Sequence, residues 1–204
     1  MIDLNTDAVI MCGGYGTRIR DMLPPGQPKA LADINGKPFL RILIDHLRSK
    51  GFRRYALCCS YGQDLIKAEF ANDDDVGFFC EDEPMGTGAT LRNLLRESIT
   101  ELSRVFVVIN GDTFCDVDYA RLLKVHSIIP NSIMTVVRNG YVNAGVFAVH
   151  SGIATVLEWE PRTRFNIEEL PIHSAVSIID TKTPFIDIGT PAGLLAAREK
   201  FGNA

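Results

Sequence analysis

Short apolar runs alternate with longer amphipathic stretches along this chain, the pattern of βαβ units wound into a mostly parallel sheet. Ala8 to Cys12 reads as the first strand, and a glycine-rich loop follows it directly. Between Pro38 and Ser49 the apolar residues Phe39, Leu40, Leu43, Ile44 and Leu47 recur at helical spacing, with proline at the start and Gly51 past the end as limits. Tyr55 to Cys59 predicts a second strand and Gln63 to Phe70 a helix. Asn72-Asp73-Asp74-Asp75 predicts a solvated turn, Val76 to Cys80 a third strand, and Thr90 to Ile99 another helix. The most continuous apolar run, Arg104 to Ile109, fits a central parallel strand buried on both faces, and it leads straight into Asn110-Gly111-Asp112-Thr113. Ser132 to Val137 and Ala144 to His150 read as further strands, and Pro191 to Phe201 as a closing helix. The expected architecture is α/β: three layers, α/β/α, around a mostly parallel sheet, in one domain over residues 1–204.

With 204 residues, 46% hydrophobic and 23% charged, the chain has the composition of an ordinary globular protein. A formal net charge of −4 gives no general attraction to polyanions, so any phosphate binding must come from a local constellation, and nucleic acid is not an expected partner. No window approaches the roughly 18 apolar residues of a membrane span, and Met1 to Thr6 lacks the features of a signal peptide, so no membrane association and a cytoplasmic location are expected. Cys12, Cys58, Cys59, Cys80 and Cys115 are odd in number and without C-x-x-C spacing, which favours reduced, packed thiols over a disulfide framework or zinc site.

Ligands of open α/β sheets sit beyond the carboxyl ends of the strands, and the first strand delivers a loop suited to an anion there. Gly13, Gly14 and Gly16 carry no β-carbon to hold backbone amides away from phosphate oxygens, and Arg18 adds a forked guanidinium. A tight glycine turn beside a surface arginine is the plain alternative. Two better-known phosphate loops fail on spacing: a dinucleotide fingerprint from Gly14 needs glycine where Ile19 stands, and a P-loop is excluded because Gly36-Lys37 is followed by Pro38. Pro24-Pro25 also rules out a long helix after the loop, so a helix dipole is not the main anion receptor expected.

Gly13-Gly14-Tyr15-Gly16-Thr17-Arg18, followed by Gln27-Pro28-Lys29, resembles the G-G-x-G-T-R...P-K signature of the sugar-1-phosphate nucleotidyltransferase family. Glu83-Pro84-Met85-Gly86-Thr87-Gly88 looks like that family's E-x-L-G-T-G loop, and Asn110-Gly111-Asp112-Thr113 like its metal-binding turn. Asn143-Ala144-Gly145 and Phe185-Ile186-Asp187-Ile188-Gly189-Thr190-Pro191 complete five motifs in order over nearly the whole chain. The resemblance implies a Rossmann-like nucleotide-diphospho-sugar transferase fold and the joining of a nucleoside triphosphate to a sugar 1-phosphate with release of pyrophosphate. It implies a nucleotide-binding part over about residues 1–115 and a sugar-binding part over about 116–204.

By the same resemblance Arg18 holds the leaving pyrophosphate, Lys29 the α-phosphate and the incoming sugar phosphate, and Asp112 and Asp187 a Mg²⁺ ion. Met11, Cys12, Gly13, Gly14, Gly16, Thr17, Glu83, Gly86, Thr87 and Gly88 surround the nucleotide, and Asn143, Gly145 and Glu168 line the sugar. On residue type alone other roles stay open: Asp112 as a cap for a helix near Val117, Asp187 as a buried structural carboxylate, Glu168 as an exposed helix-start residue. Asp116-Val117-Asp118 imitates a glycosyltransferase D-x-D, and His126, His150 and His173 lack metal-like spacing; neither group is expected in catalysis.

The chain departs from the family between Val137 and Asn143, where a long excursion with a sugar-phosphate-binding lysine is usual. Only Arg138-Asn139-Gly140-Tyr141-Val142 stands here, and no lysine occurs between Lys124 and Lys182. Either the connection is naturally minimal, with Arg138 as a substitute, or a mobile lid has dropped out of the numbered chain; the second is the expectation. Within the family, Asn-Gly-Asp-Thr-Phe-Cys-Asp-Val-Asp at 110–118 most resembles the D-glycero-D-manno-heptose 1-phosphate guanylyltransferases, which implies GTP as the nucleotide. A non-catalytic nucleotide-sugar-binding protein, or a family member using UTP, dTTP or CTP, is the alternative. The oligomeric state stays open, a homo-oligomer among the options.

Overall fold

A computed structural model describes residues 6–98, 101–129, 131–170 and 176–202. In chain order the strands are β1 (Asp7–Met11), β2 (Asp33–Ile34), β3 (Lys37–Pro38), β4 (Arg54–Cys59), β5 (Val76–Cys80), β6 (Val105–Asn110), β7 (Thr113–Cys115), β8 (Met134–Asn139), β9 (Val142–His150), β10 (Val176–Asp180) and β11 (Phe185–Asp187). The α-helices are α1 (Phe39–Ser49), α2 (Gln63–Glu69), α3 (Thr87–Ser98), α4 (Tyr119–Ile128), α5 (Ile153–Glu158) and α6 (Pro191–Phe201).

Seven strands form one sheet in the order β10-β8-β9-β6-β1-β4-β5, with β6 at its centre. Only β9 runs against its neighbours, so the sheet is mostly parallel as expected. Alternate residues of the inner strands feed two cores. Ala8, Ile10, Val107 and Ile109 point to one, covered by α1, α2, α4 and α6; Val9, Phe106, Val108 and Phe147 point to the other, covered by α3 and α5. That two-sided burial explains the unbroken apolar run before Asn110 and gives the three-layer architecture.

Helix α1 shows how local sequence fixes an element. The five residues of its apolar stripe are fully buried, and the helix ends in a Schellman arrangement: the Phe52 N–H donates to the Leu47 carbonyl at 3.2 Å and the Gly51 N–H to the Arg48 carbonyl at 3.0 Å. Its polar side carries Arg41 and Arg48, which reach Asp73 and Asp75 in the acidic turn before β5. The turn read as merely solvated therefore ties α1 to the sheet edge, and the two guanidinium groups hold Asp73 below the usual carboxylate range despite partial burial.

Three sequence expectations change. The helix placed at Thr90 starts at Thr87, because Gly86 and the backbone of Phe165 receive its first turn: the Gly88 and Ala89 N–H groups both donate to the Phe165 carbonyl. Its predicted end, Ile99, lies outside the described residues, as does His173. The helix near Val117 is α4, and its cap is Asp118, whose carboxylate accepts from the Arg121 N–H at 2.9 Å, so Asp112 is released from that role. Finally, no lid is missing between Val137 and Asn143. Strands β8 and β9 pair directly through Arg138 with Asn143 and Asn139 with Val142, and Gly140-Tyr141 closes a two-residue hairpin. The short connection is a property of the sequence itself.

Leu43 is wholly enclosed by the first core. Leu43→Ala is expected to lower the unfolding free energy by roughly 2–5 kcal/mol through lost burial and a cavity, measured by equilibrium urea denaturation. A loss below ~1 kcal/mol would contradict the described packing of α1.

Candidate active site

Strands β1, β4, β5 and β6 end on one edge of the sheet, and the loops leaving them enclose a cavity of about 230 Å³. Its walls include Met11 at the end of β1 with Gly13 and Gly14 after it, Ser60 after β4, Glu81 after β5, and Asn110 at the end of β6 with Asp112 after it. Pro84, Met85, Gly86 and Thr87 close one side together with Asn166, and Lys29 enters from another.

The glycine loop is shaped by close approaches. Gly16 has φ +65°, and a β-carbon there would stand 2.8 Å from the Cβ of Lys29, so only glycine lets the loop and the lysine arm lie against each other. Ser60 pins the other flank by donating its hydroxyl to the Gly13 carbonyl at 2.7 Å. Among the described residues the Gly13 and Gly14 N–H groups donate to no protein acceptor, which leaves two amides for an anion. The Cys12 N–H, by contrast, is committed to the Cys58 carbonyl at 3.0 Å. After the loop the chain makes one short 3₁₀ helix, Thr17–Met22, before Leu23 and the two prolines.

Arg20, which the sequence reading passed over, stitches this loop to the Lys29 arm. Its guanidinium stacks 4.5 Å from the centre of the Tyr61 ring, donates to the Tyr61 hydroxyl at 3.0 Å and to the Gln27 carbonyl at 3.2 Å, and also bonds the Tyr15 carbonyl. Lys29 then crosses to Asp112 in a direct ion pair, with side chains only 18% and 12% exposed. Asp112 is further held by the Thr113 hydroxyl at 3.3 Å, while its carbonyl accepts from the Ile188 N–H at 2.9 Å.

That last bond belongs to the small antiparallel pair of β7 with β11, in which Thr113 faces Asp187. The pairing brings Asp187 beside Asp112. The point where a Gly189 β-carbon would stand is 2.8 Å from Asp187 Oδ1, 3.0 Å from Asp112 Oδ2 and 2.8 Å from Arg18 Nη2, so three charged groups converge on a gap that a side chain would fill. Arg18 lies 3.5 Å from Asp187 and is largely exposed, at 60%. Asp187 is thus a partly exposed charged neighbour of Arg18 and not a buried structural carboxylate.

On the other side of Asp112, the space beside Gly145 is occupied by the Asn110 carboxamide, 2.8 Å from where a β-carbon would project. Asn110 Oδ1 is buried with no partner. Asn143 accepts from the Gly145 N–H at 2.8 Å and donates to Glu168 at 3.1 Å, so these three residues form one connected patch. Solvent reaches one side of Glu168, yet the chain crowding its carboxyl raises it above the usual carboxylate range.

Not every expected residue faces the cavity. Glu83 lies outside the lining and pairs with Arg164; Glu81 takes the wall position, accepting from the Thr90 hydroxyl at 2.6 Å and the Asn93 amide at 2.7 Å. Gly88 is packed under the Phe165 ring with its N–H committed, and Thr17 is exposed on the short helix. Cys12 packs below the loop: its bond to Cys59 and its burial keep the thiol far above the ordinary range, hence protonated. Ser60 and Glu81 carried a usable signal, since each directly follows a strand end at the edge where the glycine loop begins. The other acidic pair, Asp116 and Asp118, is engaged elsewhere, Asp116 with Lys50 at 2.6 Å and Asp118 as the α4 cap.

An anion nest, two basic side chains and two converging carboxylates at the carboxyl edge of a mostly parallel sheet define a nucleotide-handling α/β domain. Residues 8–164 match the MobA-like NTP transferase domain, and the chain belongs to that family. It is 37% identical over 119 residues to the D-glycero-alpha-D-manno-heptose 1-phosphate guanylyltransferase of Campylobacter jejuni, a match covering 56% of this chain and 51% of that one. The protein of the same name from Aneurinibacillus thermoaerophilus is 32% identical over 123 residues, covering 59% and 52%. The mannose-1-phosphate guanylyltransferase catalytic subunit beta of Xenopus tropicalis is 35% identical over 124 residues, covering 58% and 34%. The chain thus spans about half the length, or less, of the curated relatives it matches. Among solved structures, HddC from Yersinia pseudotuberculosis superimposes with a TM-score of 0.79 at 28% identity, covering 96% of this chain and 99% of that one; its complex with GMP-PN gives 0.78. The expected fold and family are both borne out.

The placement of Gly88 makes a test. An added methyl would meet ring carbons of Phe165 at 2.4 and 2.5 Å, so Gly88→Ala is expected to cost roughly 1–3 kcal/mol by overpacking, read from urea unfolding. Unchanged stability would mean that the 84–88 loop does not rest on Phe165.

Proposed function

We propose that this protein joins GTP to D-glycero-alpha-D-manno-heptose 1-phosphate, giving the GDP-sugar and pyrophosphate for cell-surface polysaccharide synthesis in the cytoplasm. The observation that carries the reading is the facing of Lys29 and Asp112 across the cavity edge, with Arg18 and Asp187 converging on the same gap. The likeness to two heptose 1-phosphate guanylyltransferases and to a structure complexed with GMP-PN supports the choice of sugar and base.

In this reading the Gly13 and Gly14 amides and Arg18 hold the phosphates that leave as pyrophosphate. Lys29 lies between the α-phosphate and the incoming sugar phosphate, offsetting charge that builds up in the transition state. An anionic oxygen of the sugar phosphate attacks the α-phosphorus, the bond to the bridging oxygen of the β-phosphate breaks, and no general base is required. Asn143, Gly145 and Glu168 receive the sugar.

The donor set suits a hard divalent cation such as Mg²⁺: two carboxylates meet at one gap, and oxygens of the substrate phosphates and water would supply the remaining hard ligands. When bound, it supplies charge neutralisation and polarisation of the α-phosphate. Asp112 and Asp187 are the residues that would hold it, and Lys29 and Arg18 are then free to turn from carboxylate to phosphate.

The test is pyrophosphate release with each of the four common nucleoside triphosphates against a panel of sugar 1-phosphates. Turnover is expected with GTP and the heptose 1-phosphate, and Lys29→Ala and Asp112→Ala are each expected to slow it by ~100-fold or more. Full activity in both variants would sink the mechanism. Tight binding of a nucleotide sugar with no turnover across the panel would instead assign a binding role.

A further inference from the structure

One cation near this site has no side-chain partner among the described residues. Arg138, at the end of β8, makes no ion pair or side-chain hydrogen bond among the described residues, and its Nε is buried without an acceptor. Several arginines elsewhere face carboxylates: Arg41 and Arg48 pair with Asp73, and Arg54 with Asp7. A guanidinium partly withdrawn from water and left without an anion is unfavourable unless something else supplies one.

The pairing of the hairpin locates that demand. Arg138 stands directly opposite Asn143 on β9, so the two share a face of the sheet, and opposite Asp180 on β10, whose carboxylate accepts from the Gly140 N–H at 2.9 Å and makes no ion pair with Arg138. Asn143 bonds both Glu168 and Gly145, and Gly145 rests on Asn110 in the cavity wall. Polar contacts therefore run from the nucleotide cavity to Asn143 in the proposed sugar patch, and Arg138 is the residue paired with Asn143 on the next strand. The backbone there is fixed: the Arg138 carbonyl accepts from the Thr181 N–H at 2.7 Å, and the two-residue turn cannot swing as a long loop would.

We propose that Arg138 binds the phosphate of the incoming sugar 1-phosphate, its forked N–H donors answering the phosphate oxygens. The inference rests on the function proposed above and adds the residue that separates sugar-phosphate binding from nucleotide binding. Lys29 is shared between the two phosphates and Arg18 serves the leaving pyrophosphate; Arg138 serves the sugar phosphate alone, from the far strand of the hairpin.

The experiment measures KM for the sugar 1-phosphate at saturating GTP, KM for GTP at saturating sugar phosphate, and the unfolding midpoint in urea, for wild type, Arg138→Ala and Arg138→Lys. Expected are a rise of ~10-fold or more in the sugar-phosphate KM for Arg138→Ala, a smaller rise for Arg138→Lys, a GTP KM within ~2-fold, and an unchanged midpoint. An unchanged sugar-phosphate KM in Arg138→Ala overturns the inference, as does an equal loss of both affinities with a lowered midpoint, which marks a structural role. If wild type turns over no pair, the function reading fails. Calorimetric titration with inorganic phosphate then decides Arg138 separately: weaker binding by Arg138→Ala supports the anion site, and equal or absent binding in both proteins overturns it.

Discussion

The ion pair between Lys29 and Asp112 joins residues 83 positions apart, and the rest of the site is arranged so that it can form. Asp112 is placed by the central strand β6, buried on both faces and ending at the sheet's carboxyl edge. Lys29 is placed by an arm outside the main sheet, at the start of a one-turn 3₁₀ helix (Lys29–Leu31), braced on the glycine loop by Gly16 and tied to it by Arg20. A pair so nearly buried contributes little net stability, since desolvation of both charges offsets most of their attraction. Its consequence is positional: it holds a cation and a carboxylate at the cavity mouth without a ligand present.

The second pair, Arg18 with Asp187, follows the same logic from different elements. Strand β11 reaches β6's extension through three residues of antiparallel pairing with β7 and the adjoining Ile188–Asp112 backbone bond. Directly after it Thr190 caps α6, its hydroxyl accepting from the Gly193 N–H at 3.1 Å, with Pro191 in the first turn. The turn from strand to helix therefore occurs at Gly189, the residue whose missing side chain leaves room for three charged groups. Fold and charge arrangement are set at one point.

Elements with a strong period were legible in the sequence. The stripe of α1 and the apolar runs of β1, β4 and β6 report burial directly, because a residue's face follows from its position in the repeat. The short pieces were not: β7 and β11 hold three residues each, too few for a period to show, and they exist through pairing with each other. The site was legible where backbone chemistry restricts residue type, as in the glycine loop. It was not legible for Arg20, Ser60, Glu81 and Asn110, ordinary residues that matter through what the fold places beside them. Glu83 misled because a motif position shows that an acid is nearby without showing which of two neighbouring acids faces inward.

The hairpin between β8 and β9 shows how a departure from a family pattern changes the electrostatic requirement of a site. With the connection reduced to Gly140-Tyr141, no long loop reaches over the sugar side from this position, and the cations available to a second anion are those on the strands themselves. Lys29 and Arg18 already face carboxylates. In the proposed reaction Asp112 and Asp187 would hold a divalent cation, which would leave the two basic groups to the nucleotide and keep the charge balance of the nucleotide half within residues near Asp112. In that reading the sugar phosphate would add further negative charge at the same edge, and Asn143, Gly145 and Glu168 carry no positive group to meet it. Arg138, opposite Asn143 and without an ion pair among the described residues, is the cation that the proposed reaction would call on to meet that charge.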